Sequence, residues 1–160
     1  MTLEVLQRLL DASWERARPA ARSAWPEPQR MRAADLLAFL GQQRYCAVAS
    51  VSGAGQPHLA PASFLSLEDG TFWLPSMAGA LRVRHLDRQR ARLALLVGQG
   101  MGSSHTVVSA TGPVVVIATA DLAETVRSQG TAKLADCSWA ECWLRLEPER
   151  LLGYSALTAG

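Results

Sequence analysis

Ser76 and the arginines that follow it are the residues whose types and spacing best suit chemistry. Ser76 ends an apolar run, a small loop follows at 77–80, and Arg82 and Arg84 stand where a helix could begin. A hydroxyl, backbone N–H groups at a helix start and a guanidinium fork are groups from which proteins build phosphate sites. The pattern therefore indicates an anion pocket, with Ser76 and Arg82 as its main ligands and Arg84 in reserve. A solvated basic helix is the alternative that the spacing alone leaves open.

A second candidate surface is the extended stretch at residues 56–64, which contains two prolines. Prolines suit an edge strand, where they discourage pairing with other chains. His58 could donate a hydrogen bond to a ligand, although a lone histidine is more often a surface or structural residue. Small Ala60 and Ala62 would let a flat ring approach the main chain, and Pro61 removes one backbone donor.

Two further patterns do not support a catalytic site. Residues 98–102 (GQGMG) follow a strand, but their spacing differs from G-x-G-x-x-G and the next segment is extended, so a flexible loop between strands is expected. Ser104 and His105 are neighbours on the next strand and point to opposite faces, so they cannot easily share a proton.

The elements that must position these residues follow from periodicity and turn residues. Apolar residues at helical spacing predict a helix over 2–17, and a proline-containing connector at 18–30 precedes a second helix at 31–41. Short β-prone runs predict strands at residues 44–51, 56–65, 71–76, 91–98, 105–117 and 139–147, with a short helix from about residue 119. The last run alternates with a period of two, which would put Trp139 and Trp143 on one face. Many strands with short turns favour a closed antiparallel barrel.

This order of parts resembles the pyridoxamine 5′-phosphate oxidase-like family, the flavin-binding split barrels. The family pattern joins a short apolar strand, a G-x-P-h-x-x-P piece, a D-G turn and a basic helix start. The matching pieces are residues 47–51 (AVASV), 55–61 (GQPHLAP), 69–70 (DG) and 82–86 (RVRHL). The resemblance covers about residues 31–155. It implies a mainly β fold with flanking helices, a six-stranded antiparallel split barrel with an N-terminal helical extension.

The resemblance also implies a cofactor, FMN, and the residues that would bind it. In the family the second strand runs along the flavin ring, and a C-terminal residue such as Trp143 could wall the pocket, although a strand tryptophan is more often core or interface. The usual family lysine is here Arg82, and the small hydroxyl before it is Ala80. The implied cofactor-binding residues are His58, Leu59, Ala60, Pro61, Ser63, Ser76, Arg82, Arg84 and Trp143.

The activity that the resemblance implies is that of an oxidoreductase acting as a homodimer. A hydride would pass between a small organic substrate and the flavin, in a cleft between two subunits whose surface Trp73 or Trp143 would suit. No residue stands out as a general acid or base. Three alternatives stay open: the deazaflavin F420 as the cofactor, a protein that binds flavin or haem without turnover, or a structural dimer with an empty cleft. The longer acidic tail of F420 could be held by Arg82, Arg84, Arg88, Arg90 and Arg92.

Composition excludes several other classes of protein. The chain has 160 residues and a net charge of +2, which is too small to indicate a nucleic-acid partner. No apolar run approaches the ~18 residues of a membrane span, and no signal peptide is visible. Three cysteines without metal-type spacing suit a reducing cytoplasm. We expect a helix and connector at residues 1–30, followed by the barrel domain at 31–160.

Overall fold

The computed structural model describes residues 3–86, 91–101 and 104–156 of the chain. Its helices are α1 (Leu3–Glu15), α2 (Pro19–Ala24), α3 (Ala33–Gln42), α4 (Leu81–Arg84) and α5 (Glu124–Leu134), with 3₁₀ turns at Glu27–Gln29 and Thr119–Asp121. Its strands are β1 (Tyr45–Val51), β2 (Pro57–Ser63), β3 (Leu65–Ser66), β4 (Phe72–Ser76), β5 (Arg92–Met101), β6 (Ser104–Ala118), β7 (Cys142–Leu146) and β8 (Arg150–Ala156). No helix among these residues is long and apolar enough to cross a membrane.

The strands form an antiparallel sheet that divides at the long strand β6. The first part of β6 pairs with β5 on one side and β8 on the other, and its last part pairs with β7. The order of the main path is β2-β1-β5-β6-β7-β4-β3, so β2 lies at an edge. Gly112 lies where β6 changes partners, and a Cβ there would clash with the Glu147 carbonyl oxygen. Glycine is therefore required at this close backbone approach.

The main core lies between the curled sheet and the helices α1 and α3. It contains the buried, alternate residues of the strands, such as Val48 on β1, Leu95 on β5 and Leu144 on β7. Leu6 and Leu10 of α1 belong to the same cluster, because their helical spacing turns both toward β8. The hydroxyl of Ser13, buried on the same helix, accepts a hydrogen bond from the Leu151 backbone at 3.0 Å.

A second, smaller core lies beneath α5 on the other face of the sheet. It is formed by Leu65, Trp73, Leu122, Val126 and Trp143. A Cβ on Gly130 would lie 3.0 Å from the Trp143 ring, so a glycine at this position lets α5 approach the sheet closely. Both faces of β7 are therefore covered by protein.

The expected fold class, an antiparallel split barrel with flanking helices, is confirmed, with differences in its elements. The described residues form eight strands instead of the expected six, because the short β3 is separate and β8 was not predicted. The connector at 18–30 contains α2, which begins at Pro19, a residue suited to the first turn of a helix. The prediction of a flexible loop at 98–102 is wrong for its described residues, 98–101, because β5 continues to Met101.

Candidate functional site

The short helix α4 presents two basic side chains to two buried hydroxyls. Arg82 Nε donates to Ser76 Oγ at 3.1 Å, and His85 Nδ1 shares a hydrogen bond of 2.9 Å with Ser50 Oγ. Ser76 and Ser50 are 0% and 2% exposed, whereas both basic side chains are half-buried. The two contacts hold α4 across the sheet between β4 and β1, with the basic groups at the boundary between core and solvent.

Helical spacing explains why these two residues act together. Arg82 and His85 are three positions apart, so they lie on the same face of the turn. Val83 and Leu86 pack against the main core, and their burial fixes how far α4 can rotate. Arg84 falls on the opposite side and is exposed. The expected group of Ser76, Arg82 and Arg84 is thus divided, since only the first two are in contact.

No carboxylate in the described part of the chain neutralises the charge of Arg82. Among the residues that the structure describes, no Asp or Glu oxygen lies within 4.0 Å of its guanidinium. Cys46 and Cys142 lie near it, but burial raises the pKa of both thiols, and that of Cys46 reaches about 12. Both cysteines are therefore neutral at physiological pH. Arg82 can offer a full positive charge to an anion.

The turn between β4 and α4 already binds one anionic oxygen. The Ala78 backbone N–H donates to Oε2 of Glu141 at 2.8 Å, in an exposed contact. A carboxylate oxygen and a phosphate oxygen are similar hydrogen-bond acceptors. This contact shows that a backbone donor between Ser76 and Arg82 is oriented toward an anion.

The predicted residues of β2 divide between two faces. The register pairs His58 with Ser50 and Ala60 with Val48, so these two point toward the core side. The His58 and His85 rings are perpendicular, with centroids 5.9 Å apart. This brings His58 to the group formed by Ser50, Ser76, Arg82 and His85, which we call the α4 site. Leu59, Pro61 and Ser63 point the other way, because successive side chains alternate along a strand.

The outer face of β2, β1 and β5 is an uncovered apolar surface, which we call the outer sheet face. It is defined by Tyr45, Val51, Leu59, Pro61 and Leu96. Tyr45 and Leu59 are each 70% exposed. A shallow groove of about 510 Å³ crosses it. Exposed apolar side chains grouped on one face are typical of a surface that contacts another molecule.

Trp143 is placed away from the α4 site. It is 2% exposed and packs beneath α5, whereas Ser76 follows Leu74 of the main core on the opposite face of the sheet. Trp73 is buried in the same cluster as Trp143, so the expectation that either ring forms a subunit surface is wrong for this chain. Trp139 is exposed and precedes β7, so the predicted alternation from residue 139 is also wrong.

The arginines that could hold a longer acidic tail are not all available. Arg92 donates to Glu149 in an exposed ion pair, which lowers the pKa of that carboxyl. Arg88 and Arg90 lie outside the described residues. Of the predicted arginines that the structure describes, Arg82 and Arg84 have no carboxylate of the described residues within ion-pair distance.

Sequence reasoning missed Ser50 and His85. The two are 35 positions apart, so no local motif joins them. One signal was present: His85 follows Arg82 by three residues in a stretch expected to be helical, which puts both on one face.

Comparison with known proteins relates the chain to one family. A family model described as pyridoxamine 5′-phosphate oxidase matches residues 33–152, which includes α3, the strands β1 to β7, the start of β8 and the α4 site. A comparison with curated proteins finds no match.

Solved structures with a similar fold come from several bacteria. An FAD-binding protein from Mesorhizobium loti has a TM-score of 0.61 at 19% identity, over 81% of this chain and 98% of that chain. A protein described as a pyridoxamine 5′-phosphate oxidase from Listeria innocua has a TM-score of 0.57 at 19% identity, over 74% and 94%. A haem storage protein from Vibrio cholerae has a TM-score of 0.58 at 13% identity, over 76% and 93%. At these identities the likeness shows the fold.

Proposed function

The chain belongs to the pyridoxamine 5′-phosphate oxidase family, and from this premise we propose that it is an FMN-dependent oxidoreductase acting on a small organic substrate. The observation that carries the proposal is Arg82, a half-buried guanidinium held by Ser76 without a described carboxylate partner. Solved structures of the same fold include an FAD-binding protein, which supports a flavin as the ligand class.

The residues around α4 fit the phosphate end of FMN. Arg82 supplies the charge, and the Ala78 N–H supplies a donor already directed at an anionic oxygen. Ser76 is sealed from solvent, so its role is to orient Arg82 through the Nε contact. Arginine supplies a charge and also restricts the direction from which a phosphate can bind, because the donors of its planar guanidinium have fixed directions.

The other residues of the site would position the ring and the substrate. Bound flavin would supply the hydride chemistry, and the protein supplies binding and orientation. His58, on the core side of β2, lies beside His85 and can donate to a ligand along that strand. Ala60 follows on the same face and leaves room for a flat ring. Leu59 and Pro61 point to the outer sheet face, so we assign them a role other than positioning the ring.

We also propose that the protein is a homodimer and that the outer sheet face forms the subunit interface. The large exposed areas of Tyr45 and Leu59 support this, since apolar aromatic and aliphatic groups are typical of interface centres. Light scattering at micromolar concentration tests it, and a monomer would contradict it.

The visible spectrum of the protein as purified is the decisive experiment. Oxidised flavin absorbs at longer wavelength than a deazaflavin, so the spectrum also separates FMN from F420. If the protein is purified without a chromophore, titration with FMN, followed by quenching of ring fluorescence, measures binding directly. Bleaching by NADH or NADPH with recovery in air supports turnover, whereas tight binding without bleaching indicates a storage or carrier protein. No quenching at micromolar protein would refute the proposal.

A further inference from the structure

The sole lysine of the chain, Lys133, has surroundings unlike those of a surface lysine. It lies in the last turn of α5 and is half-buried. Its Nζ donates to the Leu40 carbonyl at 2.9 Å and lies 4.5 Å from the centre of the Phe64 ring. The amine therefore lies between the end of α3 and the edge of the main core.

Lys133 also lines an open cleft of about 550 Å³ between α3, β3 and α5. The polar side chains around this cleft are those of Gln42, Arg44, Ser66 and Gln129, and no carboxylate is among its lining residues. Arg44 is exposed and has no ion-pair partner in the described part of the chain. The cleft thus combines an amine, a guanidinium and neutral hydrogen-bonding groups, which favours a small anion.

The amine of Lys133 is more nucleophilic at neutral pH than an ordinary lysine. Burial lowers its pKa to about 8. At pH 7 about a tenth of such amines are unprotonated, compared with roughly 0.04% at the usual lysine pKa. Partly desolvated lysines of this kind serve as nucleophiles in proteins.

We propose that this cleft is a modification site for small acyl phosphates and that Lys133 is the group acylated there. The unprotonated Nζ attacks the acyl carbon and forms an N–C bond. The bond between that carbon and the phosphate oxygen breaks, phosphate leaves with the bonding electrons, and the nitrogen releases a proton to water. Arg44 would hold the phosphate end during the attack. The product keeps one N–H for the Leu40 carbonyl but removes the positive charge over Phe64.

The test compares two lysines in one protein. The variant Arg8→Lys introduces an exposed lysine on α1 as an internal reference. The protein is treated with acetyl phosphate, and the acetylation of each site is followed by peptide mass spectrometry. We expect Lys133 to react at least tenfold faster than the reference at pH 7, with a rate that levels off above about pH 8. Equal or slower reaction at Lys133 would overturn the proposal.

A second variant separates anion recognition from plain reactivity. Arg44→Ala should slow acetylation of Lys133 by acetyl phosphate several-fold and leave its acetylation by a neutral N-hydroxysuccinimide ester unchanged. If Arg44→Ala alters neither rate, the cleft does not recognise the phosphate and the proposal fails. If it alters both rates equally, Arg44 acts on the amine itself, and the proposed role of the cleft is refuted.

Discussion

Replacing Arg82 with alanine tests the α4 site most directly. Arg82 is the half-buried cation that Ser76 orients through a 3.1 Å hydrogen bond. A hydrogen bond to a charged group contributes about 1.5–3 kcal/mol. At 1.4 kcal/mol per tenfold change in affinity, Arg82→Ala should weaken FMN binding roughly 10- to 100-fold.

The same change should have little effect on stability. Ser76 Oγ keeps its hydrogen bond to the Met77 carbonyl at 3.3 Å, so the buried hydroxyl still donates to a partner. Val83 and Leu86 continue to pack α4 against the core. We therefore expect the free energy of unfolding to fall by no more than about 1 kcal/mol. Urea denaturation followed by tryptophan fluorescence measures this.

Arg84→Ala is the matched control, because it removes the same charge from the same helix. Its side chain is exposed and faces away from Ser76. Fluorescence titration with FMN should give a dissociation constant within about threefold of the wild type, as expected for an exposed charge. Equal losses in the two variants would indicate a diffuse electrostatic attraction. That result, or unchanged binding in Arg82→Ala, would refute the assigned role of Arg82.

Four further predictions follow from other parts of the molecule. Glu141→Gln removes a negative charge from the Ala78 N–H and should tighten FMN binding roughly three- to fivefold in the same titration. Leu59→Arg should convert a dimer to a monomer in light scattering, because it puts a charge on the outer sheet face. Gly112→Ala should lower the free energy of unfolding by more than about 2 kcal/mol through its clash with the backbone at residue 147, whereas Gly41→Ala, with open space around it, should not. The wild type should gain stability relative to Lys133→Met between pH 8 and about 10.4, because the unfolded chain holds the lysine proton more tightly there. Solvent screens the half-buried amine, so we expect a gain of about 1 kcal/mol, and an unchanged difference in denaturation midpoints would contradict the lowered pKa.

The parts of the site that the sequence predicts are those joined by local spacing. Ser76 and Arg82 are six positions apart, and a strand end followed by a helix start brings them together. The contact between Ser50 and His85 depends on how α4 packs against β1, which only the tertiary structure determines. The position of Trp143 away from the predicted pocket has a related cause. Helix α5 covers the second face of β7, so burial along this strand does not alternate.

The strand that was not predicted, β8, shows how packing overrides local preference. Its sequence contains Gly153 in the middle, which weakens a strand on its own. In the structure a Cβ at this position would lie 2.9 Å from Leu36 and 3.1 Å from Met31. The glycine is needed for the close approach of α3, and the strand is held by its pairing with β6. A local pattern gives no sign of either contact.

The two faces of β2 connect the proposed ligand site with the proposed interface. His58 points toward α4 and Leu59 points toward the outer sheet face, although they are adjacent. If each subunit binds FMN alone, Leu59→Arg should abolish the dimer and leave FMN affinity unchanged. If the cleft is built from two chains, the same substitution should weaken both, and FMN affinity should then depend on protein concentration. Measuring affinity above and below the dimer dissociation constant distinguishes the two arrangements, because only a shared cleft links ligand binding to assembly.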